Sequence, residues 1–165
     1  MLSNLTHDNI GLIHLIFSIL ALITGTAVFI MQKGNKLHKQ VGYAYNISML
    51  GVVATAFMIY RLFGGFGPFH IAAIVSGLTL IAGMFPAFFM RHKEGWIGLH
   101  IGFMYWSVMG LYAAFIAETM VRIPETPFFG MVGIATGVVM GIGGLVFYRN
   151  RAKWEKAFAQ TPISA

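Results

Sequence analysis

Cysteine is absent from the 165 residues of this sequence. That absence excludes disulfide bonds, thiolate metal sites and cysteine nucleophiles. Charged residues are scarce as well, since they make up 10% of the chain and only 5 residues are acidic. Hydrolytic triads and paired carboxylates therefore have few residues to draw on. No glycine-rich loop stands between a strand and a helix, so a nucleotide-binding signature is missing too.

Long hydrophobic runs are what the sequence has instead of charge. Hydrophobic residues make up 58% of the chain, and each run is close to the ~20 residues with which a helix crosses ~30 Å of hydrocarbon. The runs predict five transmembrane helices, at residues 9–31, 41–62, 69–90, 96–117 and 128–148. We therefore expect an all-α integral membrane protein with a single domain, whose first four helices form a four-helix bundle.

Basic residues mark one side of the predicted topology. Nine of the 11 lysine and arginine residues lie between helices one and two, between helices three and four, and after helix five: Lys33, Lys36, Lys39, Arg91, Lys93, Arg149, Arg151, Lys153 and Lys156. The positive-inside rule predicts that these segments, including a basic tail at residues 149–165, face the cytoplasm of a bacterial cell, with the N-terminus outside its inner membrane. Anionic lipid explains the basic excess. The lipid bilayer is thus the expected partner, and nucleic acid is not.

One histidine lies near the start of each of the first four predicted helices. These residues are His14, His38, His70 and His100. Because consecutive helices alternate in direction, the four divide into an outer pair, His14 with His70, and an inner pair, His38 with His100. Alternate helices of a sequentially wound bundle face each other across the core, so each pair is expected to point at a common axis.

Two neutral imidazoles that face each other suit the iron of haem b, which takes one axial ligand on each side of its ring. At a helical rise of ~1.5 Å per residue, the outer and inner histidine pairs are expected to lie on the order of 20 Å apart across the membrane. We therefore expect two bis-histidine haems that pass electrons across the bilayer. Lys36 and Lys39 lie at the height expected of the inner propionates, and Arg61 is expected to meet propionates or an anionic substrate on the outer side.

Three segments resemble an uncharacterised family of small bacterial membrane proteins: "KGNKLHKQVGYAY", "GPFH" and "RHKEGWIGLHIGFMYWSVMGLYAAFIAE". That family implies no established activity. The histidine layout is similar to that of cytochrome b561 and its di-haem relatives, in which four histidines on four consecutive helices ligate two haems. This resemblance implies ligand roles for His14 with His70 and for His38 with His100. It also implies electron transfer from a quinol, an ascorbate-like donor or superoxide.

Two other interpretations fit the same histidines. In the first, they gather around zinc or copper, with His14 and His70 as the smallest set and Glu118 or Asp8 completing the ligands. In the second, the protein is a transporter or a structural subunit whose histidines relay protons without a redox cofactor. An enzymatic role as an oxidoreductase follows only from the haem interpretation.

Overall fold

The computed structural model describes residues 9–60, 64–123 and 127–159. These residues form five α-helices and no strand: α1 (Asn9–Ile30), α2 (Lys36–Ala56), α3 (Pro68–Phe89), α4 (Trp96–Met120) and α5 (Phe128–Ala159). The predicted all-α class and the predicted number of helices are confirmed.

Four of the helices, α1, α3, α4 and α5, are long and apolar enough to cross a membrane. Large apolar side chains on them are exposed, as at Ile23 (61%) and Leu78 (62%), which is typical of a surface that contacts lipid. α2 has 21 residues, the length of a span, but its first turn carries Lys36, His38 and Lys39 and makes it more polar. Four of the five predicted spans therefore have the length and apolarity of a transmembrane helix, as expected of a membrane protein.

The boundaries of α2 differ from the predicted range of 41–62. The helix begins at Lys36 because the side-chain oxygen of Asn35 accepts a hydrogen bond from the backbone N–H of His38 at 2.8 Å and caps the first turn. It ends at Ala56, ahead of a glycine-rich segment in which Gly64 has a φ of 64°, a conformation that favours glycine. Hydropathy located the apolar part of the helix and missed the cap.

α5 is longer than the predicted span of 128–148. It continues for 32 residues to Ala159, which is about 48 Å at the helical rise and exceeds the ~30 Å hydrocarbon core. The basic segment from Arg149 to Ala159 therefore extends the helix and is not a separate tail, while residues 160–165 lie outside the described part. No glycine or proline occurs between Leu145 and Ala159 to end the helix earlier.

The described chain divides into two compact units inside α3, between Leu78 and Thr79. In the first unit, α1 packs along α2. Gly51 permits their close approach, since a Cβ at this position would lie 2.5 Å from Cγ of Phe17. The buried residues of this unit include Ala21, Tyr45 and Met49.

Lys33 holds the turn between α1 and α2. Its ammonium group donates hydrogen bonds to the carbonyl oxygens of Val28, Phe29 and Met31 at 2.6, 2.8 and 3.0 Å. A cation at these last carbonyls also interacts favourably with the helix dipole, although burial lowers the pKa of Lys33 from its ordinary value. The sequence predicts a topology role for Lys33, and the structure adds a helix-capping role.

In the second unit, α4 packs along α5. The hydroxyl of Tyr105 donates a hydrogen bond to the carbonyl oxygen of Gly143 at 2.7 Å. A Cβ at Gly143 would lie 2.9 Å from Sδ of Met109, so a small residue is needed at this contact. The ring of Trp154 lies 5.4 Å from that of Tyr105, which holds the extension of α5 against α4.

We expect Gly51→Ala to destabilise the protein, because the new methyl group overlaps the Phe17 ring and overpacking of this kind costs about 1–3 kcal/mol. Gly42→Ala is the matched control in the same helix, since nothing lies within 4 Å of its Cβ position. Thermal unfolding of the detergent-purified protein should give a lower midpoint for Gly51→Ala and an unchanged or higher midpoint for Gly42→Ala. Equal midpoints would contradict the close packing of α1 on α2.

Candidate functional site

The four predicted ligand histidines all lie in the described residues. His14, His38 and His70 belong to the first unit, on α1, α2 and α3, and His100 belongs to the second unit, on α4. A neutral imidazole has one proton and one lone pair, so the partner of Nδ1 decides what Nε2 can do. The hydrogen bonds of the rings therefore indicate which nitrogen carries the proton and which has the lone pair.

His14 donates from Nδ1. Its Nδ1 lies 2.7 Å from Oγ1 of Thr55, and the hydroxyl proton of Thr55 is directed at the carbonyl oxygen of Gly51, 2.6 Å away. With the hydroxyl proton directed at Gly51, the Thr55 oxygen accepts from His14, and Nδ1 of His14 carries the ring proton in this arrangement. In the neutral ring the lone pair is then on Nε2, which is the form that ligates a metal.

The side of α1 that carries His14 also carries small residues. Ser18, one turn on, donates its hydroxyl to the carbonyl oxygen of His14 at 2.8 Å. Ser18, Ala21 and Gly25 are all buried. The His14 ring on this side of α1 is partly exposed.

His100 has the same form as His14. Its Nδ1 lies 2.7 Å from the carbonyl oxygen of Gly83, which can only accept, so Nδ1 carries the proton and Nε2 the lone pair. Gly83 lies in α3, three residues before Pro86. The rings of Trp96 and Phe158 lie 6.5 and 6.1 Å from that of His100.

His70 has the opposite form. Its Nδ1 accepts a hydrogen bond from the backbone N–H of Gly67 at 3.0 Å, while its own backbone N–H donates to the carbonyl oxygen of Gly67 at 3.0 Å. The side-chain bond is the reverse half of a capping box, with histidine in the place of glutamate, and Pro68 occupies the favoured first position of α3. Because Nδ1 uses its lone pair here, the proton of the neutral ring is on Nε2.

Aromatic rings surround His70, which is 4% exposed. Tyr60 and Phe66 stack on its ring with centroids 4.7 and 5.0 Å away, and Phe57 lies at 6.1 Å. Its Nε2 is buried and has no hydrogen-bond partner among the described residues. His70 is therefore a buried donor whose ring is enclosed by aromatic side chains.

His14 and His70 are brought to the same end of α2. Thr55, the partner of His14, lies two residues before Phe57 and five before Tyr60, both of which contact His70. The predicted outer pair thus shares one short segment of chain. The two rings present different nitrogens, so joint ligation of iron, which stays a prediction, would require His70 to change its hydrogen bonding.

His38 lies in the first turn of α2 and is partly buried. The sequence places it ahead of the predicted helix, and the Asn35 cap brings it inside. Of the two lysines predicted to meet propionates, Lys36 is exposed and Lys39 partly buried. Both flank His38 within a single helical turn.

Of the two carboxylates in the metal interpretation, only Glu118 lies in the described part. Asp8 lies outside it, as does Arg61, the predicted outer propionate contact. Glu118 forms an ion pair with Arg122 at 3.7 Å. No group of three or more histidine, aspartate or glutamate residues within 9–60, 64–123 and 127–159 is arranged to hold a metal ion, so a zinc or copper site of that size has no support there.

The partners of the histidines are the functional residues that the sequence analysis missed. Thr55 and Gly83 are distant in sequence from His14 and His100, the histidines that they contact. No local sequence pattern predicts these contacts. Gly67 is different, because "GPFH" contains a capping signal of glycine, proline and an acceptor side chain at the expected spacing. Aromatic residues around His70 give no signal of their own in such an apolar chain.

Comparison with protein families adds one finding to this geometry. The model of the family described as "Predicted membrane protein (DUF2306)" matches residues 11–149. The chain belongs to the DUF2306 family. The four predicted ligand histidines of this DUF2306 protein lie within the match, and the last ten residues of α5 lie beyond it. No curated protein and no solved structure matches the chain.

Membership of the DUF2306 family agrees with the resemblance to small membrane proteins of unknown function, and it brings no activity with it. The likeness to cytochrome b561 therefore stays a prediction from the histidine layout.

We expect nitrogen NMR of the histidine-labelled DUF2306 protein to show Nδ1–H for His14 and His100 and Nε2–H for His70, at a pH where the rings are neutral. The hydrogen bonds to Thr55, Gly83 and Gly67 are the physical reason. Single His→Gln variants assign the signals. A signal of His70 in the Nδ1–H form would contradict its capping bond.

Proposed function

We propose that this DUF2306 protein is a membrane b-type cytochrome, which transfers electrons within or across the bilayer through haem b bound by histidine. The observation that carries the proposal is the hydrogen bonding of His14 and His100. Each ring donates its Nδ1–H to an oxygen inside the protein at 2.7 Å. This is the arrangement by which proteins orient a histidine that ligates a metal.

The surroundings of His14 and His100 suit side chains that would hold haem iron. The Thr55 hydroxyl and the Gly83 carbonyl each fix one ring and leave Nε2 as the nitrogen with a lone pair. His14 and His100 are on apolar helices that can span a membrane, where an ionisable side chain is costly and usually functional. When bound, haem b supplies a one-electron couple whose potential depends on its axial ligands and burial.

His70 departs from this pattern. Its Nδ1 lone pair accepts the N–H of Gly67, so His70 would ligate iron only after it broke that bond, and ligation through Nε2 would also require its proton to move to Nδ1. We therefore assign His14, His38 and His100 to iron and leave His70 out of the ligand set. The pairing of His38 with His100 and the presence of two haems stay predictions.

The proposed location is the bacterial inner membrane, with the C-terminus in the cytoplasm. Arg149, Lys153 and Lys156 support this orientation, because they are exposed on the end of α5 beyond the length of a span. The exposed Lys36 and partly buried Lys39 suit contact with propionates or with anionic lipid headgroups. A quinol, an ascorbate-like donor or superoxide would supply the electrons.

The absorption spectrum of the detergent-purified protein tests the proposal. We expect reduced bands after addition of dithionite and about one to two haems per chain by pyridine haemochrome, because three assigned histidines can hold one bis-histidine haem and one haem with a single histidine ligand. Metal analysis on the same sample checks for zinc and copper. A colourless protein from haem-replete cells would overturn the cytochrome, and stoichiometric zinc or copper would replace it with the metal interpretation.

Removal of single imidazoles tests the ligand assignment. We expect His14→Ala, His38→Ala and His100→Ala each to lower the haem content by about one per chain, because each deletes an axial ligand. His92→Ala is the control, since His92 is exposed in the turn between α3 and α4. Unchanged haem in any of the first three variants would remove that residue from the site.

Thr55→Val tests the hydrogen bond behind His14. Valine keeps the shape of threonine but cannot accept from Nδ1–H, and loss of such a partner typically weakens metal binding about 10–100-fold. We expect haem at His14 to dissociate correspondingly faster into apomyoglobin. Thr55→Ser keeps the hydroxyl and should behave as wild type, so equal release from both variants would contradict the role of Thr55.

A further inference from the structure

The Nε2–H of His70 is the group that the proposed function leaves unused. His70 is 4% exposed, and no described residue accepts a hydrogen bond from Nε2. Buried polar groups are nearly always paired, because an unmatched donor has lost its hydration without a replacement. An acceptor from outside the chain would complete this site.

The capping bond of His70 makes this donor available in a defined direction. Since Gly67 N–H occupies Nδ1, the neutral ring keeps its proton on Nε2 and presents it as a donor alone. A group that needs a lone pair, such as a metal ion, is thereby disfavoured. A neutral oxygen that accepts one hydrogen bond is the chemical complement.

The walls around the donor are aromatic and reach the protein surface. Tyr60 and Phe66 stack on His70 at 4.7 and 5.0 Å, yet they are themselves 45% and 59% exposed. Large aromatic faces of this kind favour a flat, conjugated ring. An apolar ligand could reach them from the lipid that surrounds the exposed side chains of α3, such as Ile71 and Ile74.

We propose that His70 binds a membrane-soluble quinone, with Nε2–H donating to a quinone carbonyl oxygen and the quinone ring packing against Tyr60 and Phe66. This inference rests on the proposed function, because it names the substrate class with which the protein exchanges electrons. A quinone combines the three features that the residues select. Its ring is flat, its oxygen is a neutral acceptor, and it dissolves in the membrane.

The position of His70 suits such a substrate. Thr55, which holds His14, and the aromatic residues Phe57 and Tyr60, which contact His70, lie together at the end of α2. A quinone at His70 would therefore lie near the same end of α2 as a haem at His14.

The ester carbonyl of a phospholipid offers the same acceptor chemistry. It has no flat ring to pack against Tyr60 or Phe66, which favours the quinone. Binding measurements in lipid nanodiscs separate the two sources, because phospholipid is present in excess in every sample and only added quinone varies.

The experiment is calorimetric titration of ubiquinone-1 into the full-length protein in nanodiscs. His70→Asn keeps an oxygen at the place of Nδ1, which can still accept from Gly67, but lacks a donor at the place of Nε2. His70→Gln reverses this, since its amide N–H reaches the place of Nε2. His92→Ala controls for removal of a histidine, and the thermal midpoint of each variant confirms that it folds.

We expect saturable binding in wild type and in His92→Ala, binding weakened about tenfold in His70→Asn, and a smaller loss in His70→Gln, as expected for one hydrogen bond. Wild-type affinity in His70→Asn, or no saturable binding in wild type, would overturn the site. Equal losses in the two variants would overturn the hydrogen bond from Nε2.

The haem spectrum keeps this result separate from the proposed function. Because calorimetry needs no haem, a colourless protein that still shows the His70-dependent difference would overturn the cytochrome and keep the quinone site. A red protein without quinone binding would do the reverse. Loss of haem from His70→Asn would overturn the inference, because it would make His70 an iron ligand.

Discussion

A neutral imidazole divides one proton and one lone pair between two nitrogens, and inside a membrane it has few partners to choose from. This constraint decides what each histidine of the chain can do. Thr55 and the Gly83 carbonyl take the proton side of His14 and His100, whereas Gly67 takes the lone-pair side of His70. Residues that look equivalent in the sequence therefore separate into ligand-type and donor-type histidines, and both the haem and the quinone proposals follow from that separation.

The packing of α1 on α2 is what makes the His14 arrangement possible. Gly51 contributes twice, because its missing side chain admits Phe17 and its carbonyl oxygen accepts the Thr55 hydroxyl proton. Thr55 can then act as an acceptor for His14, one turn beyond the close contact. The same helix ends with Phe57 and Tyr60 against His70. α2 is thus the element that positions both histidines, although it is the most polar of the five helices and is the one that falls short of the apolarity of a span.

Much of the fold is a one-dimensional property of the sequence, because length and hydropathy decide which segments partition into lipid. Five helices, four of them apolar enough to span, follow from that rule. Hydropathy predicted the helix ends least well, because the ends depend on capping residues. Asn35 starts α2 at Lys36, and the absence of a helix breaker carries α5 on to Ala159. Both differences can be predicted from the sequence when capping and helix-breaking residues are considered together with apolarity.

The site divides in the same way. The sequence by itself determined that four histidines lie near the starts of four helices, and its "GPFH" segment determined the local bond of His70 to Gly67, because residues three apart meet in a single turn. Only the tertiary structure decided the forms of His14 and His100. Their partners are 41 and 17 residues away, so contact depends on how one helix packs against another. A ring proton goes to whichever acceptor that packing brings within reach, and no local pattern specifies it.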